Sequence, residues 1–141
     1  MKILFICDDD RFYAPLSKGY FNKLNITDAE AVSSGINAID NQGAADNAIE
    51  LAESEGFSIK EHKTSSLSKE LVNTADFVIV MTEEQQLAVC MYYPESLPKM
   101  FVMSDLLKNE ASLELQDKPS LEQFAAYKLG IDKFVDIMLK D

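Results

Sequence analysis

Two unbroken apolar runs constrain this chain most: Ile-Leu-Phe-Ile-Cys at 3–7 and Phe-Val-Ile-Val-Met at 77–81. Each is too short for a buried helix and rich in residues that favour extended backbone, so each reads as a strand covered on both faces. Such strands belong to parallel sheets, whose crossover connections lay helices over both sides. The sequence between them supplies those helices. Pro15 opens a helical pattern at a first-turn position where its missing N–H costs nothing, with Leu16, Tyr20, Phe21 and Leu24 at helical spacing. Residues 29–33 read as a second short strand, closed by Gly35. Residues 44–55 form an amphipathic helix with Ala48, Ile49, Leu51 and Ala52 inward, and Gly56 stands where a helix stop is wanted. Residues 68–72, Ser-Lys-Glu-Leu-Val, read as a short helix. Thr82 caps another over residues 83–92, with acids in its first turn, and Pro94 ends it. Residues 100–103 give a fourth strand. Pro119 starts a final helix reaching about Leu139, with Leu121, Phe124, Tyr127, Ile131, Phe134, Val135 and Met138 as its apolar positions. The alternation predicts one α/β domain over residues 1–141: a four-stranded parallel sheet with helices on both faces, a Rossmann-like three-layer arrangement.

Composition excludes several classes. At 141 residues and 47% hydrophobic, a core needs no disulfide or metal support. No apolar run approaches the roughly 20 residues of a membrane-spanning helix. The apolar segment at 3–7 is too short for a signal peptide, so the expected location is cytoplasmic, with Cys7 and Cys90 kept reduced. The net charge of −11, from 24 acidic and 13 basic residues, disfavours nucleic acid and anionic membrane as partners. An unidentified protein or small molecule is the expected partner. No cofactor and no metal is implied, and the sequence does not fix an oligomeric state.

Ligands of parallel α/β sheets bind beyond the carboxyl ends of the strands. The first strand ends at Cys7, which makes the loop of residues 8–13 the candidate site. A thiol at the end of a first strand, followed by a loop and a helix start, resembles the opening of the low-molecular-weight protein tyrosine phosphatases. Their loop reads Cys, five residues, Arg, then Ser-Pro. Here Cys7 matches the nucleophile and Pro15 the proline, and Leu16-Ser-Lys-Gly-Tyr-Phe21 is similar to the helix that follows. The likeness continues in register. It includes Val32-Ser-Ser-Gly35, Ala45-Asp46 with Ala48-Ile49, Glu70-Leu-Val, Ala75-Asp76, Val80-Met81-Thr82 and Pro94-Glu95 with Lys99. The resemblance implies loop-supporting roles for Ser33 and His62. Asp117 would be the general acid, although Asp117-Lys-Pro119 holds one residue more than the family's Asp-Pro.

The loop itself departs from the pattern. Tyr13 stands at the arginine position, Ala14 at the serine and Asp9-Asp10 at the usual Gly-Asn; Arg11 lies two positions early and Phe12 follows it. The family's reaction needs a thiolate nucleophile. It also needs a bidentate arginine on the phosphate oxygens and an acid for the leaving group. A neutral phenol cannot replace the clamp. Asp8, Asp9 and Asp10 are expected to put up to three carboxylates near the anion position, repelling a dianion and raising the Cys7 pKa. Arg11 either folds back on Asp8 or Asp10, or leaves the acids to a cationic group of a partner or a divalent ion. Residues 8–14 are thus read as a binding loop rather than a working phosphate loop.

The expected function is a catalytically impaired or repurposed relative, a binding or regulatory module. The alternative is an active cysteine-dependent phosphomonoester hydrolase, using Cys7 and Asp117 with a rewired loop. Lesser alternatives are a receiver-like signalling domain, suggested by the acidic run after the first strand and by Lys118-Pro119, and an Asp-x-Asp metal-dependent phosphatase. Cys90 reads as a packing residue, and Tyr92-Tyr93 as either a cleft wall or ordinary core and surface aromatics.

Overall fold

The computed structural model describes residues 1–107 and 121–139. Four strands, β1 (Lys2–Cys7), β2 (Glu30–Gly35), β3 (Phe77–Val80) and β4 (Met100–Val102), form one parallel sheet in the order β2-β1-β3-β4. The central β1 pairs with β2 from Lys2 opposite Glu30 to Cys7 opposite Gly35, and with β3 from Ile3 opposite Phe77 to Ile6 opposite Val80. The helices are α1 (Tyr13–Lys23), α2 (Asp46–Ser54), α3 (Lys69–Thr74), α4 (Glu83–Tyr92), α5 (Met103–Leu106) and α6 (Leu121–Phe134). A 3-10 stretch (Pro94–Lys99) precedes β4, and a π-helical segment (Val135–Leu139) follows α6.

Side-chain alternation along β1 divides the core in two. Ile3, Phe5 and Cys7 face a layer built from Leu16 and Phe21 of α1, Ala48 and Ala52 of α2, and Phe124, Tyr127, Ile131 and Phe134 of α6. Leu4 and Ile6 face the opposite layer with Val78 and Val80 of β3, Val72 of α3 and Val89 of α4. Every side chain from Ile3 to Ile6 is fully buried, each worth about 1.5–3 kcal/mol relative to exposure. The same parity turns Cys7 toward α1 and α6, which governs the site.

Helix ends follow the local sequence. The Ser68 hydroxyl accepts from the Leu71 N–H at 3.2 Å. Thr82 and Gln85 form a reciprocal capping box at the start of α4. Gly56, at φ +89°, follows α2. Other boundaries move. α1 begins at Tyr13, so Pro15 lies inside its first turn rather than at its start. β2 extends through Gly35, which pairs with Cys7. Met103 leaves the fourth strand and opens α5. Met138, expected inward, is 38% exposed, because the wider π-helical turn at 135–139 rotates the residues after Phe134 out of the α-helical register.

Candidate functional site

The loop from Cys7 to α1 lies flush on the end of β2. A Cβ on Gly35 would stand 2.8 Å from the Asp10 nitrogen and 2.8 Å from the Asp8 carbonyl oxygen, so only glycine allows this approach. Backbone bonds fix the contact: Ile36 N–H donates to the Cys7 carbonyl at 2.9 Å, Asn37 N–H to that of Asp8 at 2.7 Å, and Ala45 N–H to that of Arg11 at 3.0 Å. The chain turns at Asp10, whose φ of +61° is a left-handed conformation that Asp tolerates. That turn aims the Asp10 N–H at the Cys7 Sγ, 3.3 Å away.

The three consecutive aspartates meet three different environments. Asp10 is fully buried; its Oδ2 accepts from the Ser65 N–H at 2.9 Å. His62 Nε2 sits 2.7 Å from the Asp10 carbonyl oxygen and 3.5 Å from Oδ2, while Lys18 Nζ lies 2.6 Å from His62 Nδ1. An ammonium can only donate, so Nδ1 is the acceptor and Nε2 carries the proton that goes to the Asp10 carbonyl. The ring is neutral: burial first, then the Lys18 charge, pulls His62 down to about 4. Its approach to Oδ2 is therefore not an ion pair. Burial pushes Asp10 up to about 6, against the Ser33 hydroxyl, the Ser65 amide and Lys18. Ser33 stands beside the carboxyl, yet neither its Oγ nor Asp10 Oδ1 completes a hydrogen bond of ordinary geometry.

Asp9, half-buried, takes the Arg11 N–H at 3.0 Å, and exposed Asp8 takes the Gln85 side-chain amide at 3.2 Å. The expectation of three carboxylates facing an incoming anion is thus corrected to two: burial and the Ser65 amide hold the Asp10 side chain inside. Nor does Arg11 fold back on Asp8 or Asp10. Its Nε donates to the Gly43 carbonyl at 3.2 Å, because the loop turns its side chain toward the segment before α2.

Cys7 is 2% exposed, and its thiol is pushed up to about 12. Burial is the largest cause; the Ala14 and Asp10 backbone amides oppose it, and the Asp10 and Asp9 charges add to it. Sequence reasoning assigned the rise to the acids, whereas the packing of α1 and α6 over β1 contributes more. Tyr13, 7% exposed, stacks edge-on against Tyr127 of α6 with ring centroids 5.2 Å apart. Half-buried Phe12 lies 6.5 Å from it, and Ala14 is fully buried. Half-buried Cys90 is a free thiol on α4. Tyr92 is exposed, whereas Tyr93 packs on the α3–α4 layer, so the two do not form one wall. Asp117 lies outside the described residues. Among those residues no cluster of three or more His, Cys, Asp or Glu is placed to hold a metal ion.

Four contributors escaped the sequence reading. Lys18 and Ser65 carried no local signal, since their partners are 44 and 55 residues away. Gly43 contributes only a carbonyl. Gln85 was legible as the third residue after the Thr82 cap, but its bond to Asp8 was not.

A four-stranded parallel sheet whose first strand delivers a thiol to a loop and a helix start defines a cysteine-phosphatase-like architecture. The family model for low molecular weight phosphotyrosine protein phosphatase matches residues 2–139, and the chain belongs to that family. The receiver-like and metal-phosphatase alternatives are thereby set aside. The low molecular weight protein tyrosine phosphatase of T. tengcongensis superimposes with a TM-score of 0.85 at 29% identity, covering 98% of this chain and 99% of that one. The probable low molecular weight protein-tyrosine-phosphatase EpsP of Ralstonia solanacearum is 24% identical over 126 residues, 89% of this chain and 83% of that protein. The YwlE arginine phosphatase of Geobacillus stearothermophilus shares the fold, with a TM-score of 0.85 at 21% identity over 97% of this chain and 92% of that one.

Proposed function

We propose that this chain is a phosphatase-family member whose Cys7 loop has lost phosphomonoester hydrolysis and serves as a binding module. One observation carries the reading: the residue at the arginine position, Tyr13, is packed into the core against Tyr127 instead of reaching toward an anion. The state of the thiol supports it. With a pKa of about 12, forming the thiolate at pH 7 costs about 7 kcal/mol, at 1.36 kcal/mol per unit. Only the thiolate attacks phosphorus. A cytoplasmic setting belongs to the same proposal, because a reducing compartment keeps Cys7 and Cys90 as free thiols.

The test is an aryl-phosphate assay on the wild type, on Cys7→Ser and on the triple variant Phe12→Cys/Tyr13→Arg/Ala14→Ser. The expected result is no Cys7-dependent turnover in the wild type. Turnover of about 1 per second or faster, abolished by Cys7→Ser, would overturn the proposal.

A further inference from the structure

The outward face of α4 carries large apolar side chains that the fold does not use. Leu87 is 67% exposed and Met91 82%, one turn apart on the same face, and Tyr92 at the end of the helix is 72% exposed. Leu97, 54% exposed, follows in the 3-10 stretch. The N-terminal end of the face opens into a cleft of about 390 Å³ between the Cys7 loop, the end of β2 and α4. Ile36, Ala88, Thr82, Gln85, Asp8 and Glu84 line it. Its charged side chains are both carboxylates, and Asp8 is held toward α4 by the Gln85 amide at 3.2 Å.

The charge along this stretch of the chain is of one sign. Residues 81–98 contain Glu83, Glu84 and Glu95, all exposed, and no lysine or arginine. The next cation along the chain, Lys99, is spent inward, donating to the Val72 and Ala75 carbonyls at 2.6 Å each. Large exposed apolar side chains beside carboxylates suit a protein-binding surface, and complementarity then gives the partner's sign.

We propose that α4 and the cleft at Asp8 dock a basic, apolar segment of a partner protein, with a Lys or Arg side chain entering the cleft between Asp8 and Glu84 and apolar side chains covering Leu87, Met91 and Tyr92. The assignment rests on the binding-module reading, because it names the partner of the same loop. Charge complementarity selects this occupant. A phosphopeptide would meet carboxylates in the cleft. A second copy of this chain, net −11, would bring like charge to like charge unless a basic patch lay opposite.

The experiment selects peptides from a random 12-residue library on the intact protein, then measures the enriched peptides by fluorescence anisotropy. Enrichment of Lys or Arg beside large apolar residues is expected. Leu87→Lys/Met91→Lys should weaken binding at least tenfold, and Asp8→Asn/Glu84→Gln several-fold. The charge-dependent part should fade in 0.5 M salt, where exposed charges are screened. Circular dichroism of the exposed-surface variants confirms that they fold. No enrichment, acidic or phosphorylated consensus peptides, or affinities unmoved by both variants would overturn the proposal. So would a monomer–dimer equilibrium in sedimentation velocity that Met91→Lys abolishes, since the occupant would then be a second copy. Cys7-dependent phosphatase turnover would instead defeat the binding-module reading and leave these affinities unchanged, so the two failures are distinguishable.

Discussion

Replacing Asp10 by Asn should stabilise the protein at neutral pH, by an amount the buried network sets. Asp10 titrates at about 6 in the folded chain, against 3.8 for the ordinary side chain. A folded value above the unfolded one means that folding favours the protonated acid. Its contribution is fully present below about pH 4 and is lost as pH rises through about 6. The two-unit gap corresponds to about 3 kcal/mol of strain from the buried carboxylate at pH 8, at 1.36 kcal/mol per unit. Asn keeps the shape, tolerates the φ of +61°, and can still accept from the Ser65 N–H. His62 acts with the opposite sign. Its folded value of about 4 lies below the ordinary 6.5, so its contribution is present above pH 6.5 and is lost on acidification toward 4. That contribution is common to wild type and variant and cancels in the difference. Urea unfolding followed by circular dichroism from pH 4 to 8 should therefore show Asp10→Asn ahead by about 3 kcal/mol at pH 8, roughly 10 °C in Tm. The advantage should shrink to nothing near pH 4. Equal or lower stability at pH 8, or a gain independent of pH, would refute the reasoning.

Three further outcomes follow from the packing. Cys7 should show no thiolate absorbance below about pH 10 and should react with iodoacetamide far more slowly at pH 8 than an accessible thiol, because burial dominates its shift; a thiolate titrating below pH 7 would contradict this. Tyr13→Arg alone should lower unfolding stability by about 3 kcal/mol or more, since it puts a cation where a ring packs on Tyr127, and should give no turnover; an unchanged urea midpoint would show that the new side chain swings out to the loop mouth. Gly19→Ala should cost about 1–3 kcal/mol from overpacking, despite alanine's better helix propensity, because the added Cβ would stand 2.7 Å from the Phe57 ring and 2.9 Å from Ile59 Cγ2; a stabilised variant would show that Phe57 gives way freely.

The sheet was legible because its signals are local. The runs at 3–7 and 77–81 fix two buried strands by composition, and Thr82 and Gly56 mark helix ends by chemistry confined to one turn. The turn from β4 into α5 was missed because Met103 suits a strand and a helix equally well. At the site, the strand-end thiol, the displaced Arg11 and the phenol at Tyr13 could be read from spacing. What they touch could not. Asp10 is held by groups 52 and 55 residues downstream, and Cys7 is packed in one core cluster with Tyr127, which the fold brings back from the far end of the sequence. A run of three acids looks uniform in one dimension, but a single left-handed residue sends its last member inward and leaves the first two outside.

That division changes the electrostatic argument without reversing it. With Asp10 withdrawn, Asp8 and Asp9 remain to meet an incoming anion. A unit pair at about 5 Å still costs about 3 kcal/mol at an effective dielectric of 20, and a dianion roughly twice that per carboxylate. A helix N-terminus returns about 2 kcal/mol at best. Two of the loop's donors are also committed: the Asp10 N–H goes to the Cys7 sulfur, and the Arg11 N–H to the Asp9 carboxylate. A phosphate that took the Arg11 N–H would have to displace Asp9 from it, leaving a half-buried carboxylate short of a partner at a cost of about 1–3 kcal/mol. The Arg11 guanidinium has its Nε engaged with the Gly43 carbonyl, which leaves only its Nη groups to face an anion. On the proposed reading, the carboxylates of Asp8 and Asp9 therefore set this loop against anions. Phosphate should therefore give no measurable heat in calorimetry with the wild type at pH 7.5 and modest salt. Binding at millimolar phosphate or below would show that Asp9 yields its amide and that the loop remains an anion site.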